Sequence, residues 1–243
     1  MIFTANEGQV SYGESIGILL LETRTPFIQG DVGNATSYDF PVRYRTIPGL
    51  TATKIFNHDL SFVDKMIEGA QELEREGVKA ITGDCGFMAI YHREVKEAVN
   101  IPVLLSSLLQ LPFIQSTLPQ KAKIGILTAN SRSLTGELLG KIGVKNDGTM
   151  IIRGLENEKD FKDAVIDEIG ILNSDGMRQE MVSTALELTR SHTAVKSILL
   201  ECSMMPPYGD AVQKATGLPV YDFLTMINYA HSSLVKRHFE DSM

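Results

Sequence analysis

The sequence has no apolar run long enough to span a bilayer and no excess of basic residues. A membrane-spanning helix needs about 20 consecutive, mainly apolar residues. The formal net charge is −7 at neutral pH, whereas nucleic acids and anionic membranes bind to basic surfaces. Residues 1–15 also lack the apolar core of a signal peptide. These absences argue against nucleic acid or membrane as partners, and we expect a cytoplasmic protein.

Patterns for nucleotide cofactors and metal ions are missing as well. There is no Gly-x-Gly-x-x-Gly or Walker sequence, and the five histidines include no His-x-x-x-His pair. We therefore expect neither a metal nor a nucleotide cofactor.

Cysteine is scarce, and its two occurrences lie at the same place in an internal repeat. Val78–Cys85 and Val195–Cys202 are identical at four of eight positions, and an acid precedes the cysteine in both. A second anchor lies upstream, where Ile16–Leu19 recurs as Ile124–Leu127. The chain is a tandem duplication, which predicts two similar domains.

The apolar pattern predicts an α/β fold in each domain. Ile16–Leu21 and residues 124–128 are continuous apolar runs, typical of strands buried on both faces of a parallel sheet. Residues 87–99 are predicted to form a helix after the first cysteine, so that each repeat contains a strand, a cysteine, a helix and a strand. Residues 107–122 show no clear periodicity.

We predict two similar domains with mainly parallel sheets flanked by helices, and an active site in the cleft between them. The first domain comprises residues 1–118 plus 221–243, and the second comprises residues 119–220. A C-terminal helix over residues 223–239 returns to the first domain.

The cysteines are predicted to lie at strand ends, each in front of a helix N-terminus, where open α/β sheets bind ligands. A helix N-terminus is worth about 0.3–1 kcal/mol, or ~2 when partly buried, so we expect each thiol pKa to fall by about one unit. Side chains alternate along a strand, so Asp84 and Glu201 are expected to point away from the sulfur atoms.

Two such thiols, facing one ligand from opposite sides of a cleft, suit a two-base proton transfer. The sulfur atoms of Cys85 and Cys202 would then lie roughly 6–8 Å apart, with the reacting carbon between them. In the alternative interpretation each cysteine is simply a small buried side chain.

These features resemble the aspartate/glutamate racemase superfamily, which includes glutamate, aspartate and hydantoin racemases, maleate isomerase and arylmalonate decarboxylase. The resemblance covers essentially the whole chain and implies cofactor-free catalysis by Cys85 and Cys202. The chain departs from the amino-acid racemases in the residues after each cysteine. It has Cys85-Gly86-Phe87 and Cys202-Ser203-Met204, where those racemases have Cys-Asn-Thr and Cys-Thr-His or Cys-Thr-Glu.

The leading hypothesis is a cofactor-independent racemase or epimerase, an isomerase that acts on a small anionic substrate at a carbon next to a carboxylate. The alternatives are an isomerase or decarboxylase of the same superfamily and a non-catalytic small-acid binding protein. The sequence leaves the substrate and the choice between monomer and homo-oligomer open. The candidate substrate-binding residues, from the strand-end loops and the matched arginines, are Gly86, Phe87, Thr128, Asn130, Ser131, Ser203, Arg24 and Tyr208.

Overall fold

In the part of the chain that the structure describes, the strands form two four-stranded sheets with parallel pairings throughout. The computed structural model describes residues 1–5, 7–240 and 243. The first sheet has the order β2-β1-β3-β4 and the second the order β6-β5-β7-β8, so the two halves are topologically equivalent. This confirms the predicted α/β fold. The strands are β1 (Ile16–Leu20), β2 (Val42–Thr46), β3 (Ala80–Gly83), β4 (Val103–Leu104), β5 (Lys123–Thr128), β6 (Met150–Gly154), β7 (Val195–Leu200) and β8 (Val220–Tyr221).

Helices connect the parallel strands and cover the faces of the sheets, as a parallel connection requires. The α-helices are α1 (Ala52–Phe56), α2 (Val63–Arg75), α3 (His92–Ala98), α4 (Leu111–Thr117), α5 (Gly136–Lys141), α6 (Lys159–Phe161), α7 (Ser174–Ser191), α8 (Gly209–Thr216) and α9 (Phe223–Leu234). Among the residues that the structure describes, no helix is long and apolar enough to cross a bilayer.

A glycine in each central strand allows a helix to approach closely. A Cβ atom on Gly17 would lie 2.9 Å from the Leu73 side chain of α2, and one on Gly125 would lie 2.8 Å from Leu188 of α7. Real Cβ contacts are longer than this, so both positions need glycine for helix–sheet packing. The repeated Ile-Gly-Ile-Leu sequence thus makes the same contact in both halves.

The C-terminal helix α9 packs on the first sheet rather than the second. Phe223 and Ile227 of α9 share a buried apolar cluster with Ile16, Ile18 and Ala80. The helix ends at Leu234, before the predicted end at residue 239. The domain limits at residues 118 and 221 stay a prediction.

Two segments differ from the sequence prediction. The residues after Cys85 form a 3-10 helix, Gly86–Tyr91, which is buried throughout, and α3 begins only at His92. No α-helix N-terminus therefore lies behind the first cysteine. Helix α4 falls in residues 107–122, where no periodicity was evident. Its Pro112 lies in the first turn, where the missing N–H costs nothing.

Candidate active site

The carboxyl ends of β3 and β7 bring both cysteines to one pocket. Cys85 and Cys202 each lie two residues beyond the end of their strand, and both are free, buried thiols. Their roughly 6–8 Å separation stays a prediction. The pocket is lined by Leu21, Thr23, Thr25, Phe27, Ala52, Asp84, Cys85, Val165, Glu168, Cys202, Ser203 and Met204.

The acid before each cysteine binds the end of the neighbouring central strand. Asp84 accepts hydrogen bonds from the Leu21 backbone N–H on both carboxylate oxygens, at 3.0 and 3.1 Å. Glu201 Oε2 accepts from the Thr128 hydroxyl at 2.9 Å and the Ala129 N–H at 3.3 Å. Leu21 and Ala129 are equivalent residues of the repeat, just beyond β1 and β5. The two acids therefore fix the two cysteine-bearing strand ends in the same way.

Both acids are nonetheless harder to ionise than an exposed carboxyl group. Burial raises the pKa of Asp84 to about 7, against the lowering effect of the Leu21 N–H. Burial likewise raises the pKa of Glu201 to about 7, although its bonds to Thr128 and Ala129 lower it. Glu201 Oε1 is buried without a hydrogen-bond partner among the described residues. It lies against the α-carbon of Gly86, where a Cβ atom would overlap it.

The pKa of both thiols is raised, not lowered, so the expected activation by a helix N-terminus is wrong. Burial is the largest cause for Cys85 and for Cys202, and the Glu201 carboxylate is the second for both. The acid side chains do bind strand-end groups rather than sulfur, but their charge still reaches the thiols. In each half, the backbone N–H two residues after the cysteine forms a hydrogen bond that lowers the thiol pKa and so partly opposes this increase. The N–H belongs to Phe87 for Cys85 and to Met204 for Cys202. Each thiol is thus neutral at rest, with one amide positioned to stabilise a thiolate.

Two segments, 23–28 and 164–168, contribute residues to the pocket lining and contact each other, and we call them the roof. The Thr25 hydroxyl donates to the Ala164 carbonyl at 2.9 Å, and the Arg24 backbone N–H donates to the Glu168 carboxylate. Glu168 has a φ of 48°, in the left-handed region that non-glycine residues seldom occupy. The cavity beneath is small, about 40 Å³.

Within the described residues, no group of three or more His, Cys, Asp or Glu side chains could hold a metal ion.

The structure brings three of the sequence-predicted site residues together: Cys85, Cys202 and Ser203 all line the pocket. Gly86 and Phe87 lie behind it in the core. The Phe87 ring packs edge-on against Phe56 with ring centroids 5.3 Å apart.

The remaining predicted residues lie outside the lining of this pocket, and their roles in substrate binding stay predictions. The Thr128 hydroxyl donates a hydrogen bond to Glu201, and the Ser131 hydroxyl donates one to Glu156. The exposed Arg24 guanidinium lies beside Gly170. Two further residues make local contacts: Asn130 accepts from the Arg132 N–H, and the buried Tyr208 hydroxyl lies 3.5 Å from Ser174 Oγ.

Sequence reasoning missed five polar or aromatic residues of the lining. For Asp84 and for the residues of the 23–27 segment, the sequence did contain an indication of a role in the site. Asp84 belongs to the repeated acid–cysteine pair, and the 23–27 segment follows the central strand at the ligand-binding edge of the sheet. Glu168 carried no such signal. The missed residues are Thr23, Thr25, Phe27, Asp84 and Glu168.

No protein-family model matches the sequence. Curated relatives do. Dimethylsulfoniopropionate lyase 6 of Emiliania huxleyi (strain CCMP1516) is 33% identical over 231 residues, covering 91% of this chain and 60% of the relative. A dimethylsulfoniopropionate lyase of Durusdinium sp. clade D is 31% identical over 222 residues, covering 88% of this chain and 73% of the relative. The chain belongs to the dimethylsulfoniopropionate lyase family. It spans about 60% of the length of the Emiliania lyase.

Solved structures of the racemase and decarboxylase superfamily share the fold of this lyase-family chain. Arylmalonate decarboxylase superimposes with a TM-score of 0.57, covering 93% of this chain and 94% of its own, at 13% identity. A putative Asp/Glu racemase from Yersinia pestis has a TM-score of 0.53, covering 90% and 98%, at 17% identity. The superfamily resemblance is therefore confirmed for the fold.

The predicted function is wrong. We expected a racemase or epimerase, but the relatives that are about a third identical to the chain over the aligned residues are named lyases, not isomerases. The relatives and the fold neighbours are enzymes. Of the sequence-based hypotheses, the alternative that included a decarboxylase-type enzyme agrees better with these findings.

Proposed function

We propose that this protein is a lyase that eliminates a dialkyl sulfide from a β-sulfonio carboxylate, the reaction class for which its relatives are named. The observation that carries the proposal is the pocket lining. It contains two free thiols and two carboxyl groups, but no lysine or arginine among the described residues. A simple anion would meet like charge there without a basic partner, whereas a substrate with a sulfonium and a carboxylate has a positive group to offer.

The chemistry needs one base and no cofactor. A thiolate of Cys85 or Cys202 removes the proton from the carbon next to the carboxylate, and the C–H electron pair becomes the new C=C bond. The C–S bond breaks, and its electron pair stays on sulfur, which leaves as neutral dimethyl sulfide. Acrylate is the other product, and the proton remains on the thiol until it is lost to solvent.

The surroundings of the thiols support such a base. The amide N–H groups of Phe87 and Met204 stabilise the thiolate form, and a bound sulfonium cation would stabilise it further. The hydroxyls of Thr23 and Ser203 line the same pocket and are suitable donors for the substrate carboxylate. Because elimination needs a single base, the two thiols have unequal roles, in contrast to a two-base inversion.

The test is release of dimethyl sulfide from dimethylsulfoniopropionate, measured by headspace gas chromatography with acrylate counted in parallel. We expect equal amounts of the two products. Cys85→Ser and Cys202→Ser are compared with Ser183→Ala, which loses an exposed hydroxyl on α7. Loss of a general base costs about 10²–10⁴-fold in rate, so one cysteine variant should be silent and the other slowed. Wild-type rates in both cysteine variants would refute the assignment.

A further inference from the structure

The two halves of the chain each contribute one carboxyl group to the pocket. Asp84 follows β3 in the first half, and Glu168 belongs to the roof segment of the second half. The Glu168 carboxylate influences Asp84 electrostatically and raises its pKa, after the larger effect of burial. The two groups are therefore close enough to repel each other when both are ionised. A cation placed between them would remove this repulsion.

Glu168 differs from Asp84 in how it is held. Asp84 is buried, and both of its oxygens are engaged by the Leu21 N–H. Glu168 is only partly buried, and the one interaction that lowers its pKa is the Arg24 N–H. A carboxylate has room for about four hydrogen bonds or ion contacts, so Glu168 keeps most of its capacity for a ligand. Glu168 lines the pocket from a left-handed backbone conformation, with φ at 48°, which non-glycine residues seldom adopt.

An aromatic ring completes the surroundings. Phe27 lines the pocket from the first roof segment, and its ring packs over Gly33, where a Cβ atom would be only 2.5 Å from it. Glycine at position 33 therefore leaves the space that this ring occupies. The face of an aromatic ring attracts a partly desolvated cation.

We propose that Glu168, together with Asp84 and the Phe27 ring, forms an onium subsite that selects substrates with a positively charged sulfonium or ammonium group over neutral molecules of the same shape. This proposal rests on the proposed lyase function only for the identity of the leaving group. The subsite itself concerns only how the substrate binds, so it can be tested without catalysis. Glu168 is the specificity-determining residue, because it is the less engaged of the two carboxylates.

The test compares two probes of nearly equal shape by isothermal titration calorimetry. One is 3-(trimethylammonio)propionate, which carries a fixed positive charge, and the other is 4,4-dimethylpentanoate, in which a neutral tert-butyl group replaces the trimethylammonio group. We expect wild-type protein to bind the cationic probe at least tenfold more tightly. In Glu168→Gln this preference should fall to about twofold or less, while affinity for the neutral probe stays within about twofold. The unchanged neutral probe shows that the variant pocket is folded.

Glu187→Gln is the matched control, because it removes the same charge from an exposed ion pair with Arg153 on the surface. It should keep the full preference. The proposal is overturned if wild-type protein binds the two probes equally, or if Glu168→Gln keeps the tenfold preference. Dimethyl sulfide release is measured separately. A preference that depends on Glu168 without any release would leave the subsite and reject the lyase, whereas release without such a preference would reject the subsite alone.

Discussion

The Thr128 hydroxyl donates a hydrogen bond to the Glu201 carboxylate at 2.9 Å, with both groups fully buried. This contact joins the end of β5 to the end of β7, one residue before Cys202. The other oxygen of Glu201 has no partner among the described residues. A buried carboxyl with one engaged oxygen favours its neutral form, since the charged form has lost its water on one side.

Replacing Glu201 should change how stability depends on pH. Burial raises the pKa of Glu201 from 4.5 to about 7, so between these values the folded state holds a proton that the unfolded state releases. Stability is therefore lost as the pH rises from 4.5 to 7. Each pKa unit is worth about 1.4 kcal/mol. Between about pH 4.5 and pH 8, the free energy of unfolding of the wild type should fall on the order of 2–3 kcal/mol more than that of Glu201→Gln.

Urea denaturation at the two pH values measures this difference. Glu137→Gln, at an exposed position of α5, is the control and should follow the wild type. Parallel pH dependence in the wild type and Glu201→Gln would contradict a raised pKa for Glu201.

Gly86 should tolerate no side chain. A Cβ atom there would overlap Glu201 Oε1 and approach the Glu201 backbone to 2.6 Å. Overpacking of a core costs about 1–3 kcal/mol, and we expect Gly86→Ala to lose at least this much stability in urea denaturation. Gly140→Ala is the control, because a Cβ atom at this position of α5 would have no neighbouring atom within 4 Å. It should be neutral or stabilising by up to about 1 kcal/mol.

The two thiols should react slowly in the folded protein. Burial and the Glu201 carboxylate raise the pKa of both cysteines well above the usual range, and only the thiolate is a nucleophile. With a chromogenic disulfide reagent at about pH 7, we expect the sequence's two thiols to react promptly in urea and at least 100-fold more slowly in the native state. Fast native reaction of either thiol would show an activated cysteine instead.

The same raised thiol pKa predicts an alkaline pH–rate profile. Asp84 and Glu201, with pKa values of about 7, are largely ionised above pH 8, so further change there reports the thiol. If a thiolate is the base, kcat/KM for dimethyl sulfide release should rise about tenfold per pH unit between roughly pH 8 and 9. A flat profile over this range would assign the base to another group.

The sequence predicted the sheets well because their signals are local. Continuous apolar runs such as Ile16–Leu20 are characteristic of strands buried on both faces, and the repeat predicted the second sheet once the first was known. Helix α4 was missed because Pro112 and the glutamines around it obscure the apolar spacing.

The thiol environment could not be predicted in the same way. It depends on burial beneath the roof and on the charge of Glu201, both of which arise from contacts between residues far apart in the chain. Local reasoning placed a helix N-terminus behind Cys85, whereas tertiary packing produced a buried 3-10 helix there. No sequence pattern indicated Glu168, because its position depends on a left-handed backbone conformation and on the Arg24 amide.

The matching contacts of Asp84 with Leu21 and of Glu201 with Ala129 fasten each cysteine to its own sheet. If the two halves of the chain separate when a substrate enters, the distance between the two sulfur atoms should therefore increase while the hydrogen bonds at both strand ends stay intact.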